Sequence, residues 1–217
     1  MGADARPRAG LAPRRLPSQE RAHRTVDRLL ETAAGLLDEV GLEGFNTNLL
    51  AERAGVRVRT VYRYFPNKLA VITALARRMA QEWDGWFEGF AALADRRRDW
   101  RPLWDRYIDT FIAGARAQSG GVAIRRVMRA SPELHAIDQE DSERLARQLA
   151  RAAARRLDLP PARLLAVARL LVETAVAAID LVLTSPPARA QALAAELKRM
   201  HTRYLEGLLG ATKGAGR

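Results

Sequence analysis

The sequence contains no cysteine, which excludes disulfides and thiolate metal sites. Its three histidines, His23, His135 and His201, stand far apart and do not pattern as a metal site. No long uncharged apolar run is present. The most hydrophobic stretch, Leu164 to Leu183, is broken by Arg169, Glu173 and Asp180, which argues against a membrane span. The amino end has arginines but no apolar h-region, so no signal peptide is expected. Strand alternation and tandem repeats are missing, as are a nucleophile beside a base, a phosphate loop and a metal cluster. A soluble cytoplasmic protein that is not an enzyme, needs no cofactor and has no membrane partner is the expectation.

What is there is apolar and basic. Hydrophobic residues make up 48% of 217, enough to bury a substantial core, in one large domain or two modest ones. The formal net charge is +11, and lysine contributes little to it, being confined to Lys68, Lys198 and Lys213. Residues 1–68 hold 12 Lys or Arg against 8 Asp or Glu, so most of the excess lies further on. Global charge favours non-specific attraction to phosphates and does not locate a site.

The stretch from Asn46 to Phe65, NTNLLAERAGVRVRTVYRYF, patterns as two short helices hinged on a glycine. Asn46 is suited to cap the first. Leu50 and Ala54 share one face with Ala51 beside them, and Gly55 is the residue best able to leave a helix in a left-handed conformation. Val56, Val61, Tyr64 and Phe65 give the second helix its apolar face. Arg57, Val58, Arg59, Thr60, Tyr62 and Arg63 are left pointing outward. From Arg53 to Lys68 there is no acid. Arg59 and Arg63 lie one turn apart, and arginine is the commonest reader of guanine in the major groove. Thr60 and Tyr62 offer hydroxyls of the kind that hold phosphates, and Val58 suits a thymine methyl. A solvated basic hairpin would show the same charges. The Ala-then-Gly turn between apolar positions favours a DNA-reading helix-turn-helix.

The block Gly41 to Ile72, GLEGFNTNLLAERAGVRVRTVYRYFPNKLAVI, resembles the DNA-binding domain of the TetR family of bacterial transcriptional regulators. The resemblance rests on Gly41 and Gly44, on LLAERAGV at Leu49 to Val56, and on TVYRYFPNK at Thr60 to Lys68. It implies DNA contacts from Thr47, Arg57, Val58, Arg59, Thr60, Tyr62, Arg63, Tyr64 and Lys68. Two positions depart from the family pattern. Arg57 stands where a small hydroxyl residue often caps the recognition helix, which puts that cap in question. Arg59 stands where Gly or Pro is common, which points to arginine-led groove contacts.

The chain thus divides into a basic arm at 1–17, a helix-turn-helix domain at 18–68, a helical effector-binding and dimerisation domain at 69–210 and a flexible tail at 211–217. The fold class is all-α. In the arm, Arg14 and Arg15 either follow the DNA or remain a solvated tail. A helix opening at Ser18 carries Val26, Leu29, Leu30, Ala33, Leu36, Leu37 and Val40 at helical spacing, and Gly41 stops it. Pro66 ends the recognition helix. Asn67 can cap a long helix running through Phe90, and ADRRRDWRP at Ala94 to Pro102 breaks it. Five further helices follow, over Arg101 to Gln118, Gly121 to Ala130, Pro132 to Leu157, Pro161 to Thr184 and Pro187 to Leu209.

Aromatic residues gather early in the second domain. Trp83, Trp86, Phe87, Trp104, Tyr107 and Phe111, with Met128 and His135, form the candidate effector pocket, since the resemblance places an effector cavity in this layer. Each one alone is better read as core, and only the group suggests a pocket. The run from Glu133 to Glu143 reads as a solvated acidic helix face. The last two helices resemble the family's dimerisation pair, with Leu171, Ala175, Ile179, Leu183, Leu193, Leu197, Met200 and Tyr204 as the candidate interface. The expected partners are double-stranded DNA, a second copy of the chain, and an apolar or aromatic small molecule. The expected function is a ligand-responsive repressor on a palindromic operator. A DNA-binding helical protein without an effector is the alternative.

Overall fold

The computed structural model describes residues 20–86, 90–130 and 132–214, without the side chains of 82–86, 90–91, 130, 133 and 211–214. Arg14, Arg15, Ser18 and Phe87 lie outside the described residues. Every described element is a helix: α1 (Glu20–Gly44), α2 (Thr47–Arg53), α3 (Val58–Tyr64), α4 (Lys68–Trp86), α5 (Phe90–Leu93), α6 (Trp100–Ala117), α7 (Gly121–Ala130), α8 (Pro132–Ala153), α9 (Pro161–Thr184) and α10 (Pro187–Gly214). The fold is all-α, an N-terminal helix-turn-helix followed by a larger helical region. Helix α1 is interrupted at Gly41, whose φ is 63°, where the sequence places its stop. α8 ends at Ala153, short of Leu157, because Arg155 to Leu157 close it with tight turns onto Ala152 and Ala153 carbonyls. α10 runs past Leu209 to Gly214, so the expected tail begins as helix.

The chain forms two compact units, residues 1–81 with 118–134, and residues 82–117 with 135–217. The second boundary is not visible as a break in composition. Helix α7 belongs to the first unit because it packs along α1. Gly120, just before it, has φ +73°, and a Cβ there would stand 2.9 Å from the Ala34 carbonyl oxygen. Only glycine permits both the turn and the approach. Its amide donates to Asp38 Oδ2 at 2.6 Å, fastening the loop to α1. Leu29, Ala33 and Leu37 of α1, Leu50 of α2, Val61 of α3, Val71 and Ile72 of α4 and Ile124 of α7 are all buried in this unit.

The second unit is built on α9, which packs against α10 and α6, with α10 also on α6. Trp104, Ile108 and Phe111 of α6 meet Leu145 and Leu149 of α8, and Leu171, Ala175 and Ile179 of α9, in one core. Ion pairs brace the rim. Lys198 of α10 meets Asp109 of α6 at 2.6 Å, and Arg101 of α6 meets Glu206 of α10 at 2.9 Å. Among the described residues, no helix is long and apolar enough to cross a membrane.

Candidate nucleic-acid interface

Asn46 adopts an extended conformation, and its Oδ1 accepts from the amides of Asn48 and Leu49 at 3.1 and 2.9 Å. It is the cap the sequence indicates. Gly55, at φ +63°, closes α2 by donating to Glu52 O, and Val56 donates to Ala51 O. Together these turn the chain within three residues and direct it into α3. Arg57 occupies the N-cap of α3 with extended geometry and makes no side-chain cap bond. The substituted cap position is therefore uncapped by its own side chain. Phe65 leaves the helix in an extended conformation ahead of Pro66. Asn67 Oδ1 then accepts from the Ala70 amide at 2.9 Å and starts α4.

The period of α3 sorts its residues. Val61 and Tyr64 are buried, whereas Arg57, Val58, Arg59, Tyr62 and Arg63 are exposed and Thr60 is half-buried. Val58 with Tyr62, and Arg59 with Arg63, each span one turn, so these side chains share one outward surface. Lys68 is exposed at the start of α4. Among the expected DNA contacts, Tyr64 is corrected: its ring is 5% exposed, packed into the motif's interior, and Arg63 covers it with a guanidinium 5.8 Å from the ring centre. Thr47 is also largely buried, and its hydroxyl lies 3.0 Å from that of Tyr62. Arg53 does not join the outward charge either. Its Nη1 and Nη2 donate to Glu39 Oε1 and Oε2 at 3.2 and 2.9 Å, a two-pronged pair that docks α2 on α1. The acid that answers Arg53 comes from another helix.

Two family models match: the bacterial regulatory proteins, tetR family, over residues 29–75, and the tetracyclin repressor-like C-terminal domain over residues 99–205. The chain belongs to the TetR family. The chain is 47% identical over 51 residues to the tetracycline repressor protein class C of Escherichia coli, 24% of this chain and 23% of that one. The chain thus aligns with less than a quarter of that relative's length. A crystal structure of a TetR-family transcriptional regulator from Streptomyces coelicolor matches over 85% of this chain and 99% of that chain, at 28% identity and a TM-score of 0.64. The SmeT–triclosan complex shares the fold, with 18% identity and a TM-score of 0.60 over 81% of this chain and 90% of that one.

In this TetR-family chain, the expected effector residues are only partly brought together. Trp104, Tyr107 and Phe111 line one apolar void of about 20 Å³ between α6, α8 and α9. Trp104 and Tyr107 are stacked, with ring centres 5.9 Å apart, and burial raises the Tyr107 hydroxyl far above its ordinary pKa. Trp104 also borders a second void of about 50 Å³. Met128 is corrected: it is buried in the first unit, because α7 packs on α1. His135 is corrected as well: it is exposed at the start of α8, beside Gln139. Trp83 and Trp86 lie on α4, and their side chains fall outside the described residues. Trp100 was missed, since it sits at the edge of the charged ADRRRDWRP break, yet it is 7% exposed and lines the larger void.

The expected interface residues divide in the same way. Leu171, Ala175, Ile179 and Leu197 are buried in the chain's own core, because α9 spends that face on α6 and α8 and α10 packs on α9 and α6. Leu183 and Leu193 are half-buried, and Met200 and Tyr204 are 50% and 39% exposed. Leu170 and Leu181 of α9, at 53% and 56%, are the large apolar side chains left outward on that helix. The acidic run on α8 is engaged: Arg169 of α9 meets Glu143 at 3.1 Å and also bonds Gln139.

Proposed function

We propose that the chain is a sequence-specific DNA-binding transcriptional regulator. It is a repressor that reads a palindromic operator as a homodimer and is released by a small apolar molecule. The observation that carries DNA reading is the outward surface of α3, where Arg59 and Arg63 flank Val58 and Tyr62 with no acid among them. Arginine forks suit guanine edges, and an aliphatic side chain suits a thymine methyl. Lys68, at the head of a capped helix, suits a phosphate. Arg59→Ala or Arg63→Ala weakens specific binding by about 1–3 kcal/mol and relaxes base preference, whereas Lys68→Ala weakens all sequences alike. Selection of bound fragments from random duplex DNA tests this directly. A palindrome supports the reading, and unchanged affinity in both arginine variants overturns the groove assignment.

Dimerisation is supported by the apolar side chains that α9 and α10 leave outward, Leu170, Leu181, Met200 and Tyr204. Apolar side chains left exposed together in one patch mark protein–protein contact sites. Sedimentation at micromolar concentration is expected to show a species twice 24.1 kDa. Leu181→Glu with Met200→Glu shifts it to the single-chain mass.

Effector binding is supported by the apolar voids around Trp104 and by the triclosan complex of SmeT, which shares this fold. A ligand acts by binding one state of the dimer better than another. Voids of about 50 and 20 Å³ are small beside the roughly 300–1,000 Å³ of ordinary ligand pockets. That size favours a second reading, a DNA-binding regulator without an effector. Repeating the fragment selection with candidate small molecules separates the two, because only the first reading allows release.

A further inference from the structure

The larger void lies at one end of the second unit, and its walls are almost wholly carbon, from Trp100, Trp104, Leu149, Val167 and Leu205. It does not stand alone. Trp100, Arg156, Leu157 and Leu209 also line an adjoining open cleft of about 790 Å³. Arg96, Arg101, Arg155 and Arg156 face that cleft, and its carboxylates are Asp158 and Glu206. Glu206 is already committed. It accepts from Arg101 at 2.9 Å and from Arg203 at 3.2 Å, and Arg101 holds it below the usual carboxylate range. Among its lining residues four arginines face two carboxylates, with Asp99 paired to Arg101 and Asp95 close to Arg156.

The guanidinium of Arg156 is fixed in place. Its Nε donates to Leu93 O, and its Nη2 donates to Asp95 O and Arg98 O. These bonds tie the α5–α6 connection to the end of α8. Nη1 has no such acceptor among the described residues, and Arg155 and Arg96 are exposed without an ion pair there. A positioned donor at the mouth of a dry apolar slot suits one anionic group attached to an apolar tail. The slot's volume limits the tail: a cavity of about 150 Å³ holds benzene, and this one has about 50 Å³. That space takes two or three carbons of a short chain and excludes a ring.

We propose that slot and cleft form one site for a short unbranched alkyl monocarboxylate. Its tail lies against Trp100 and Trp104, and its carboxylate accepts from Arg156 Nη1 and from Arg155, with Arg96 adding charge. As the identity of an effector this rests on the reading above, but the site itself is tested without DNA.

The experiment is calorimetric titration of butyrate into the full-length protein, beside butanol and butylamine, which keep the tail and change the head. Butyrate is expected to bind at least about tenfold more tightly than butanol. Arg96→Gln with Arg155→Gln, both at exposed positions, is expected to bring butyrate to the level of butanol and leave butanol unchanged. Ala153→Phe, which fills the slot wall, is expected to weaken butyrate and butanol together. Equal affinity for butyrate and butanol, equal or better binding of butylamine, or indifference of butyrate to the arginine changes overturns the proposal. Butyrate binding of the expected pattern that leaves operator affinity untouched supports the site and counts against the effector reading. Operator release by some other molecule, with no butyrate binding, overturns the site and leaves the effector reading standing.

Discussion

The hydroxyls of Thr47 and Tyr62 lie 3.0 Å apart, joining the first turn of α2 to the outward face of α3. Tyr62 is thereby oriented by the fold itself, and Thr47 acts through it. Tyr62→Phe removes the bond and a hydroxyl suited to phosphate, while Thr47→Val removes the bond alone. Each is expected to lower stability by about 0.5–1.5 kcal/mol. In operator affinity, Tyr62→Phe should cost more than Thr47→Val, and the double variant should cost less than the sum of the two. Additive losses in a double-mutant cycle would show that the pair acts independently.

The two caps of the motif should respond in opposite directions. Asn46→Ala leaves the Asn48 and Leu49 amides without their acceptor and is expected to cost about 1 kcal/mol. Arg57→Ser supplies α3 with the cap it lacks, so thermal unfolding should rise while operator affinity falls with the lost charge. A variant that loses affinity without gaining stability would show that Arg57 is not merely an uncapped position.

Gly120→Ala is expected to destabilise the first unit by about 1–3 kcal/mol, because it combines positive φ with a Cβ 2.9 Å from a backbone oxygen. Gly121→Ala is the control. Its Cβ meets the flexible end of Met79 at 3.3 Å, so denaturant unfolding should register a smaller change.

His201 gives a pH dependence. Its Nε2 is 2.8 Å from Thr174 Oγ1, and that hydroxyl also donates to Leu170 O at 2.7 Å. With the threonine proton so used, Nε2 carries the imidazole proton, and Nδ1 is left buried without a partner. Burial lowers the ring from 6.5 to about 4. Between those values the unfolded chain binds the extra proton and the folded chain does not. The contribution is therefore complete above pH 6.5 and is lost as pH falls toward 4, a change of at most about 3 kcal/mol. Urea unfolding at fixed protein concentration should show this slope in the native chain and lose it in His201→Leu.

The local parts of this molecule were legible in its sequence. Asn46, Gly55 and Asn67 act through bonds to residues two or three positions away, and Pro66 through its clash with the residue before it, so type and spacing suffice. Choices between faces were less legible. Leu171 and Leu170 are equally apolar, and only the packing of α9 on α6 and α8 decides that the first is core and the second exposed. Tyr64 was ambiguous for the same reason, since a tyrosine suits an interior and a phosphate alike. Long-range pairings left no local mark at all. Nothing near Arg53 announces Glu39, nothing near Gln118 announces that α7 packs on α1, and His201 looks solitary until Thr174 and Trp104 surround it.

The fastening of Gly120 to Asp38 has a consequence for the order of events during synthesis. The first unit is assembled from residues 1–81 and 118–134, so its amino-terminal portion leaves the ribosome before the helix that seals α1 exists. At about 5–20 residues per second, the wait between Gln81 and Leu134 is several seconds. Throughout that interval the nascent helix-turn-helix exposes the side of α1 that α7 later covers. A gene fragment ending near residue 81 would hold a newborn chain in that exposed state permanently.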